Sequence, residues 1–242
     1  MKRVALVTGA TSGIGWAVAE RLWREGYRVM ACGRRTERLE ALDAACDGEL
    51  LVQPADLRVE ADILAVFETV RACWGGVDVL VNNAGLGFGE PLISGDTEAW
   101  REMLEVNVLA LCIATREAVQ DMRRRGDDGH VVHVGSMAGH RVPPGSGVYS
   151  ATKYAVRSLT EGLRQELREL GSDIRVTSIS PGFVETEFAA VYHRDPGAAE
   201  RTYRQYKVLE AADVAEAVHY VVSQPVHVQV HDILLRPTRQ PR

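Results

Sequence analysis

The sequence predicts an α/β fold in which a doubly wound parallel sheet of about seven strands carries helices on both faces. Short apolar runs alternate with longer segments of helical periodicity along most of the chain, which is the pattern of repeated strand–helix units. Several runs are apolar throughout, as expected of parallel strands that are buried on both faces. Right-handed crossovers between such strands give the doubly wound arrangement.

The predicted elements follow one another in order. The strands are short runs rich in apolar residues, at 3–7, 27–32, 50–53, 77–81, 130–134, 175–179 and, as a last extended segment, 226–235. The helices show apolar residues at helical spacing, at 14–25, 36–45, 60–73, 97–124, 148–169 and 211–222. Thr36 is a suitable N-cap for the second helix, Gly171 ends the fifth, and Pro225 stops the sixth.

Two segments have no regular pattern. Residues 183–210 form a long irregular stretch, and loops of that length in compact folds are often lids over a site. The tail 236–242 contains two prolines and three arginines, and we expect it to be loosely ordered. With no linker or composition break, the sequence predicts one domain over 1–242, with a substrate loop at about 183–210.

Composition narrows the class of protein. The chain has 242 residues, 46% hydrophobic and 25% charged, with a net charge of −5, which excludes a disordered chain and disfavours a nucleic-acid binder. The longest apolar run is seven residues, at 108–114, whereas a membrane span needs about 20. We therefore expect no membrane span, no secretory signal and a cytoplasmic protein. The four cysteines lack metal-ligand spacing, so no metal is expected.

A glycine-rich loop joins the first strand to the first helix. It reads Thr8-Gly9-Ala10-Thr11-Ser12-Gly13-Ile14-Gly15. Gly9 permits a tight turn, Gly13 permits close approach of a ligand, and Gly15 permits close packing of the helix. The unpaired N–H groups of the helix N-terminus would then face a pyrophosphate. The alternative is a flexible turn, but the strand before it and the helix after it favour nucleotide binding.

The end of the second strand bears on the choice of cofactor. An acidic residue that would bind a ribose 2′-hydroxyl is absent, and Gly33 is followed by Arg34 and Arg35. A guanidinium suits a 2′-phosphate, so NADP is favoured over NAD. The alternative is a solvated arginine pair at the start of a helix.

Three polar residues form a candidate catalytic group. Tyr149 and Lys153 are four residues apart at the start of a predicted helix, so they share one face. An ammonium about 4 Å from the phenol would lower its pKa by about three units, toward 7. Ser136 ends the preceding strand on the side where ligands of parallel sheets bind. Taken singly, each could be an ordinary surface or turn residue.

Together these motifs make the chain similar to the short-chain dehydrogenase/reductase family, which has a Rossmann fold and transfers a hydride between NAD(P) and an alcohol or ketone. The likeness covers nearly the whole chain. It rests on the glycine loop, the Asn82-Asn83-Ala84-Gly85 stretch, Asn107, Ser136, Tyr149 with Lys153, and Pro181-Gly182. The family's NADP-preferring members often have a base where Arg34 stands. A second basic marker of some members is missing, because Ser12 occupies that position.

The resemblance implies a role for each matching residue. Tyr149 would be the general acid/base, Lys153 would tune it and hold the nicotinamide ribose, and Ser136 would orient the substrate. Asn107 would hold a water that joins Lys153 to solvent. The implied cofactor-binding residues are Gly9, Thr11, Ser12, Gly13, Ile14, Gly15, Gly33, Arg34, Arg35, Asp56, Leu57, Asn83, Ala84, Gly85, Tyr149, Lys153, Pro181, Gly182, Val184 and Thr186.

The substrate is less sharply defined by the sequence. The C-terminal part resembles NADP-dependent serine/3-hydroxy acid dehydrogenases, and Arg141 is a candidate partner for a substrate carboxylate. A steroid, sugar or xenobiotic carbonyl stays open, as does a cofactor-binding regulator without catalysis. The family also implies a homodimer or homotetramer formed through the helices at 97–124 and 148–169.

Overall fold

The computed structural model describes residues 2–241, apart from the side chain of Ala199. One parallel sheet has the strand order β3-β2-β1-β4-β5-β6-β7. The strands are β1 (Val4–Thr8), β2 (Arg28–Gly33), β3 (Leu51–Pro54), β4 (Val79–Asn82), β5 (His130–Val134), β6 (Arg175–Pro181) and β7 (Asp232–Leu235). The chain runs outward from β1 in one direction and then from β4 in the other, so the predicted doubly wound α/β fold is confirmed.

The helices surround this sheet. They are α1 (Gly13–Arg24), α2 (Thr36–Ala45), α3 (Glu60–Trp74), α4 (Thr97–Leu104), α5 (Ala110–Arg124), α6 (Gly147–Glu169), α7 (Phe188–His193), α8 (Gly197–Tyr203) and α9 (Ala211–Val222). A π turn (Glu105–Leu109) joins α4 to α5, and a 3₁₀ turn (Met137–Gly139) follows β5. None of the helices within residues 2–241 is both long and apolar enough to cross a membrane.

The strands contribute side chains to two hydrophobic layers, one on each face of the sheet. In β1, Ala5 and Val7 join one core, which α1, α2 and α9 cover. Val4 and Leu6 point the other way, into a core covered by α3, α5 and α6. Successive side chains of a strand face opposite sides of the sheet, so an apolar run can serve both layers. This is why the buried strands of this chain are apolar without alternation.

Several local predictions were wrong. Thr36 is the first residue of α2 and Arg35 is the N-cap, with no side-chain capping bond. Only Asp232–Leu235 of the segment 226–235 is a strand, because the chain after Pro225 turns, with Val228 N donating to Pro225 O. The segment 183–210 contains α7 and α8.

Candidate active site

A cavity of about 700 Å³ opens at the carboxyl ends of the strands. Its wall includes every residue that the sequence assigned to catalysis or cofactor binding except Gly15 and Asn107. Gly15 lies behind the wall, where an added Cβ would be 2.3 Å from Gly9 O. Side chains at the ends of parallel strands converge on one crevice, which is why residues far apart in the sequence meet here.

The glycine loop has the geometry of a cradle. Gly9 and Gly13 have positive φ angles of 67° and 54°, which side-chain-bearing residues rarely adopt. A Cβ on Gly13 would come 2.9 Å from Thr186 Cγ2, and one on Gly33 would come 2.7 Å from Thr11 Cγ2. Both positions therefore require glycine, because threonine side chains of this chain pack directly against them and hold the loop in its shape.

Asn83 fixes this loop to the neighbouring strand. Its side-chain Nδ2 donates to Thr8 O at 2.9 Å and to Gly9 O at 3.2 Å. The backbone N–H groups of Asn83 and Ala84 both donate to Thr8 Oγ1 at 3.1 Å. These four bonds order the turn before any ligand contacts it.

The two arginines after β2 diverge. Arg34 Nη1 lies 3.3 Å from Glu102 Oε1 on α4. Arg35 Nη1 lies 2.9 Å from Glu187 Oε2, just before α7, and its Nη2 donates to Thr11 Oγ1 at 3.2 Å. Both guanidinium groups line the cavity, but each is already held by a carboxylate.

Tyr149 and Ser136 lie together in the wall. Burial raises the pKa of Tyr149 to about 12, and a hydrogen bond with Ser136 opposes that rise. Lys153 Nζ is 6.0 Å from the centre of the Tyr149 ring and donates to Val134 O at 3.1 Å. Burial lowers the pKa of Lys153 to about 8. The predicted lowering of the Tyr149 pKa toward 7 was wrong, because desolvation outweighs a charge at that distance.

Asn107 lies inside the π turn and is 1% exposed. Its Nδ2 donates to Leu86 O at 2.7 Å and to Thr152 Oγ1 at 3.0 Å, and its Oδ1 accepts from Leu86 N at 2.9 Å. A buried amide is costly unless it is hydrogen-bonded, and here both ends are used. The side chain thereby holds the segment that follows Gly85 against α6.

An aromatic cluster that the sequence did not single out covers Tyr149. The Tyr149 ring centre is 5.4 Å from that of Phe188 and 5.9 Å from that of Tyr192. Gly87 fits beneath these three rings, where a Cβ would be 2.8 Å from Tyr149 Cδ2. The glycines at 85, 87 and 89 were the available signal, since glycine at alternate positions marks close contact on one face.

A residue near position 240 forms part of the cavity wall. Gln240 is 6% exposed, lines the cavity and accepts a hydrogen bond from Phe183 N at 3.1 Å. Arg141 Nη2 donates to Pro241 O at 3.4 Å, while its buried Nε has no hydrogen-bond partner among residues 2–241. The expectation of a loosely ordered tail was therefore wrong for Gln240.

Within residues 2–241 no three His, Cys, Asp or Glu side chains are grouped so that they could hold a metal ion. Asp56, one of the predicted cofactor-binding residues, lines the cavity. Its carboxylate is bound by Arg58, whose hydrogen bond holds the pKa of Asp56 below its ordinary value. The carboxylates of Asp56 and Glu187, which both line the cavity, are thus paired with arginines.

Fold and site together define a class of protein. A family model described as short chain dehydrogenase matches residues 3–197. The chain therefore belongs to the short-chain dehydrogenase/reductase family, and the predicted Rossmann-fold oxidoreductase is confirmed.

Three proteins of known name are similar to this chain over nearly its whole length. Dehydrogenase/reductase SDR family member 11 of Bos taurus is 54% identical over 98% of this chain and 97% of its own length. Farnesol dehydrogenase of Aedes aegypti is 43% identical over 97% of this chain and 96% of its own. The solved closed form of serine dehydrogenase complexed with NADP⁺ is 38% identical, with a TM-score of 0.94 over 99% of this chain and 96% of that chain.

Proposed function

We propose that this chain catalyses reversible, NADP-dependent hydride transfer between the nicotinamide and a secondary alcohol or ketone. The observation that supports this proposal most directly is that one cavity is lined by Tyr149, Ser136 and Lys153 together with the glycine loop and Arg35. The NADP⁺ complex of the similar serine dehydrogenase agrees with the predicted cofactor. The bound cofactor would supply or accept the hydride.

The residues of this chain would bind the substrate oxygen and transfer a proton to or from it. Ser136 and Tyr149 present two hydroxyls to the oxygen on which negative charge develops during reduction. Tyr149, with a pKa of about 12, stays protonated at neutral pH and donates its proton to that oxygen. Lys153, with a pKa of about 8, is the stronger acid of the two and can return a proton to the phenolate.

For the substrate we propose a small 3-hydroxy acid whose carboxylate pairs with Arg141. Arg141 lines the cavity and its Nε is buried without a partner in the described part of the chain. An arginine fork is suited to a carboxylate, and the similar serine dehydrogenase is named for serine, which is a 3-hydroxy acid.

A second candidate is an uncharged apolar alcohol or ketone. Phe188 and Tyr192 stack at 5.8 Å beside Tyr149, and Pro143, Pro144 and Phe183 line the same cavity. Apolar walls favour an apolar ligand, and the similarity to farnesol dehydrogenase points the same way.

The first test is a titration with NADPH and NADH, following nicotinamide fluorescence. Tight NADPH binding with weak NADH binding supports the proposed cofactor. The reverse preference contradicts the assignment of Arg34 and Arg35, and binding of neither overturns the proposed activity.

The second test is Tyr149→Phe. We expect turnover to fall by about 10²–10⁴-fold while NADPH binding is retained, because the phenol supplies the proton and the ring is kept. Tyr154→Phe, on the exposed side of the same helix, is the matched control and should retain activity. Near-full turnover by Tyr149→Phe would remove Tyr149 from its proposed role.

The third test separates the two substrate classes. Arg141→Gln should raise KM for a 3-hydroxy acid by roughly tenfold or more, as expected for loss of a charged hydrogen bond. KM for an uncharged alcohol should be unchanged. Arg204→Gln, at an exposed arginine of the segment 183–210, is the control. Equal effects on both substrates would speak against a carboxylate at Arg141.

A further inference from the structure

Glu187 lies in an unusual position for a carboxylate. Its Oε2 is 2.9 Å from Arg35 Nη1, and its Oε1 is 3.8 Å from Arg38 Nη2. The side chain of Ser12 lies beside it and helps to lower its pKa. These partners are the base and the loop serine that the sequence assigned to the cofactor phosphates. An acidic side chain therefore occupies the place expected for a bound phosphate.

The backbone around Glu187 is held close to the glycine loop. The preceding residue, Thr186, packs so tightly that a Cβ on Gly13 would come within 2.9 Å of its Cγ2. Ser12 is the N-cap of α1, yet its side chain makes no capping bond. The side chain of Ser12 is therefore not engaged by its own helix and lies beside Glu187. The packing of Thr186 against Gly13 brings the backbone that carries Glu187 to the glycine loop.

The charge of Glu187 is maintained at neutral pH. Partial burial raises its pKa, but the hydrogen bond from Arg35, the charge of Arg35, the side chain of Ser12 and the charge of Arg38 outweigh burial and keep the pKa below its ordinary value. A carboxylate and a 2′-phosphate would compete for the same guanidinium fork, and like charges close together are mutually unfavourable.

We propose that Glu187 is a specificity-determining residue that limits the preference for NADPH over NADH by competing with the 2′-phosphate for Arg35. The inference rests on the proposed function, since it assumes that Arg35 binds the phosphate. NADH lacks the 2′-phosphate and leaves the Arg35–Glu187 pair in place. NADPH must displace Glu187 before it gains the arginine.

The Arg35–Glu187 pair differs from the neighbouring Arg34–Glu102 pair in its contacts with the glycine loop. Arg34 is held by Glu102, which also lies near Arg58 at 3.7 Å and belongs to α4. Within the described residues Glu102 has no hydrogen bond or ion pair with the glycine loop, whereas Glu187 shares Arg35 with Thr11 of that loop. Glu187 therefore has the closer link to the phosphate cradle.

The test is Glu187→Gln, which keeps the side-chain shape and removes the charge. At low salt we expect the Kd for NADPH to fall by about two- to fivefold, the range of a solvent-exposed ion pair, and the Kd for NADH to stay within error. High salt should reduce the difference. Glu200→Gln, at an exposed carboxylate of α8 paired with Arg204, is the control for charge in the segment 183–210.

A double-mutant cycle identifies the partner. In an Arg35→Gln background, Glu187→Gln should no longer change the ratio of the NADPH and NADH constants. If Glu187→Gln weakens NADPH binding, or shifts both cofactors equally, the proposal is overturned. Wild-type protein that binds neither cofactor would instead overturn the proposed function, so the two failures are distinguishable by the same titrations.

Discussion

Tyr149 and Lys153 both lie in the cavity wall, where burial raises the pKa of the phenol and lowers the pKa of the ammonium. The spacing of four on a helix puts the two side chains on one face, and the structure places both in the cavity wall. The direction of the Tyr149 pKa change depended on burial and on the direction of the ammonium, which points to Val134 O. Burial and the direction of the ammonium cannot be read from a four-residue motif, because they depend on β5 and on the segment 183–210.

Two buried histidines make the stability of the protein dependent on acid. His133 lies between Thr115 Oγ1 at 3.1 Å and Thr160 Oγ1 at 2.8 Å, and His130 contacts Thr177 Oγ1 at 2.8 Å. Burial lowers the pKa of each to about 3. Both imidazoles therefore stay neutral in the folded protein at a pH where the unfolded chain protonates them.

We expect the free energy of unfolding to decrease as pH falls from about 6.5 toward 3. In that window the unfolded state binds more protons, so each histidine contributes a slope of about 1.4 kcal/mol per pH unit. Denaturant unfolding at a series of pH values measures the slope. His133→Asn should reduce it relative to His227→Asn, at an exposed position; an identical slope in both variants would contradict the assignment.

At the scale of the element, the sequence predicted an irregular substrate loop at about 183–210 but not the two helices that this segment contains. Helices α7 and α8 have six and seven residues, and isolated helices so short are unstable without tertiary contacts. Those contacts come from elsewhere in the chain: Gly89 N donates to Tyr192 O at 2.9 Å, and Arg194 lies 3.2 Å from Glu90. A local pattern could not reveal helices that depend on a distant loop.

Gly87 is the point where this element meets the candidate catalytic residue. A Cβ there would come within 2.8 Å of Tyr149, 2.9 Å of Phe188 and 3.0 Å of Tyr192. In Gly87→Ala we expect the rings to shift and kcat/KM to fall by about 10-fold to 100-fold, since small displacements near reacting groups are costly. The Kd for NADPH should change far less than kcat/KM, because the substitution leaves the glycine loop and Arg35 unchanged.

Steady-state kinetics with the best substrate, together with the NADPH titration, measure this effect. Gly162→Ala is a matched control, because a Cβ at that position in α6 meets no atom within 4 Å. Unaltered kinetics in Gly87→Ala would show that the aromatic cluster can relax without cost to the site.

At the scale of the whole molecule, the sheet and the cofactor side were predictable and the substrate side was not. Apolar runs, helical periodicity and the glycine loop are local signals, and they predicted the doubly wound sheet and most of the residues that line the cavity. Gln240 reaches Phe183 across 57 residues of sequence, and Glu187 reaches Arg35 across 152. Such pairs depend on the path of the chain, which propensity and periodicity do not encode.

Exposed apolar side chains bear on assembly. Leu104 and Leu109 are 50% and 54% exposed in the long helical region 97–124, and Tyr154 is 40% exposed on α6. Large apolar side chains exposed on these helices favour association, and we expect light scattering to give the mass of a dimer or tetramer. Leu109→Glu should lower that mass, whereas Leu170→Glu, exposed at the end of α6, should not. A wild-type mass equal to one chain would contradict the expectation.

The π turn at Glu105–Leu109 gives this long helical region one residue more than a regular α-helix of the same extent would have. Deleting one residue there would restore a regular α turn, and α4 and α5 would keep nearly the same orientation about their common axis. Met103 would stay in the core, but the side chains within the turn would point in new directions, so the bonds between Asn107 and Leu86 would be lost. The extra residue therefore directs Asn107 toward the site without displacing the residues on either side of the turn.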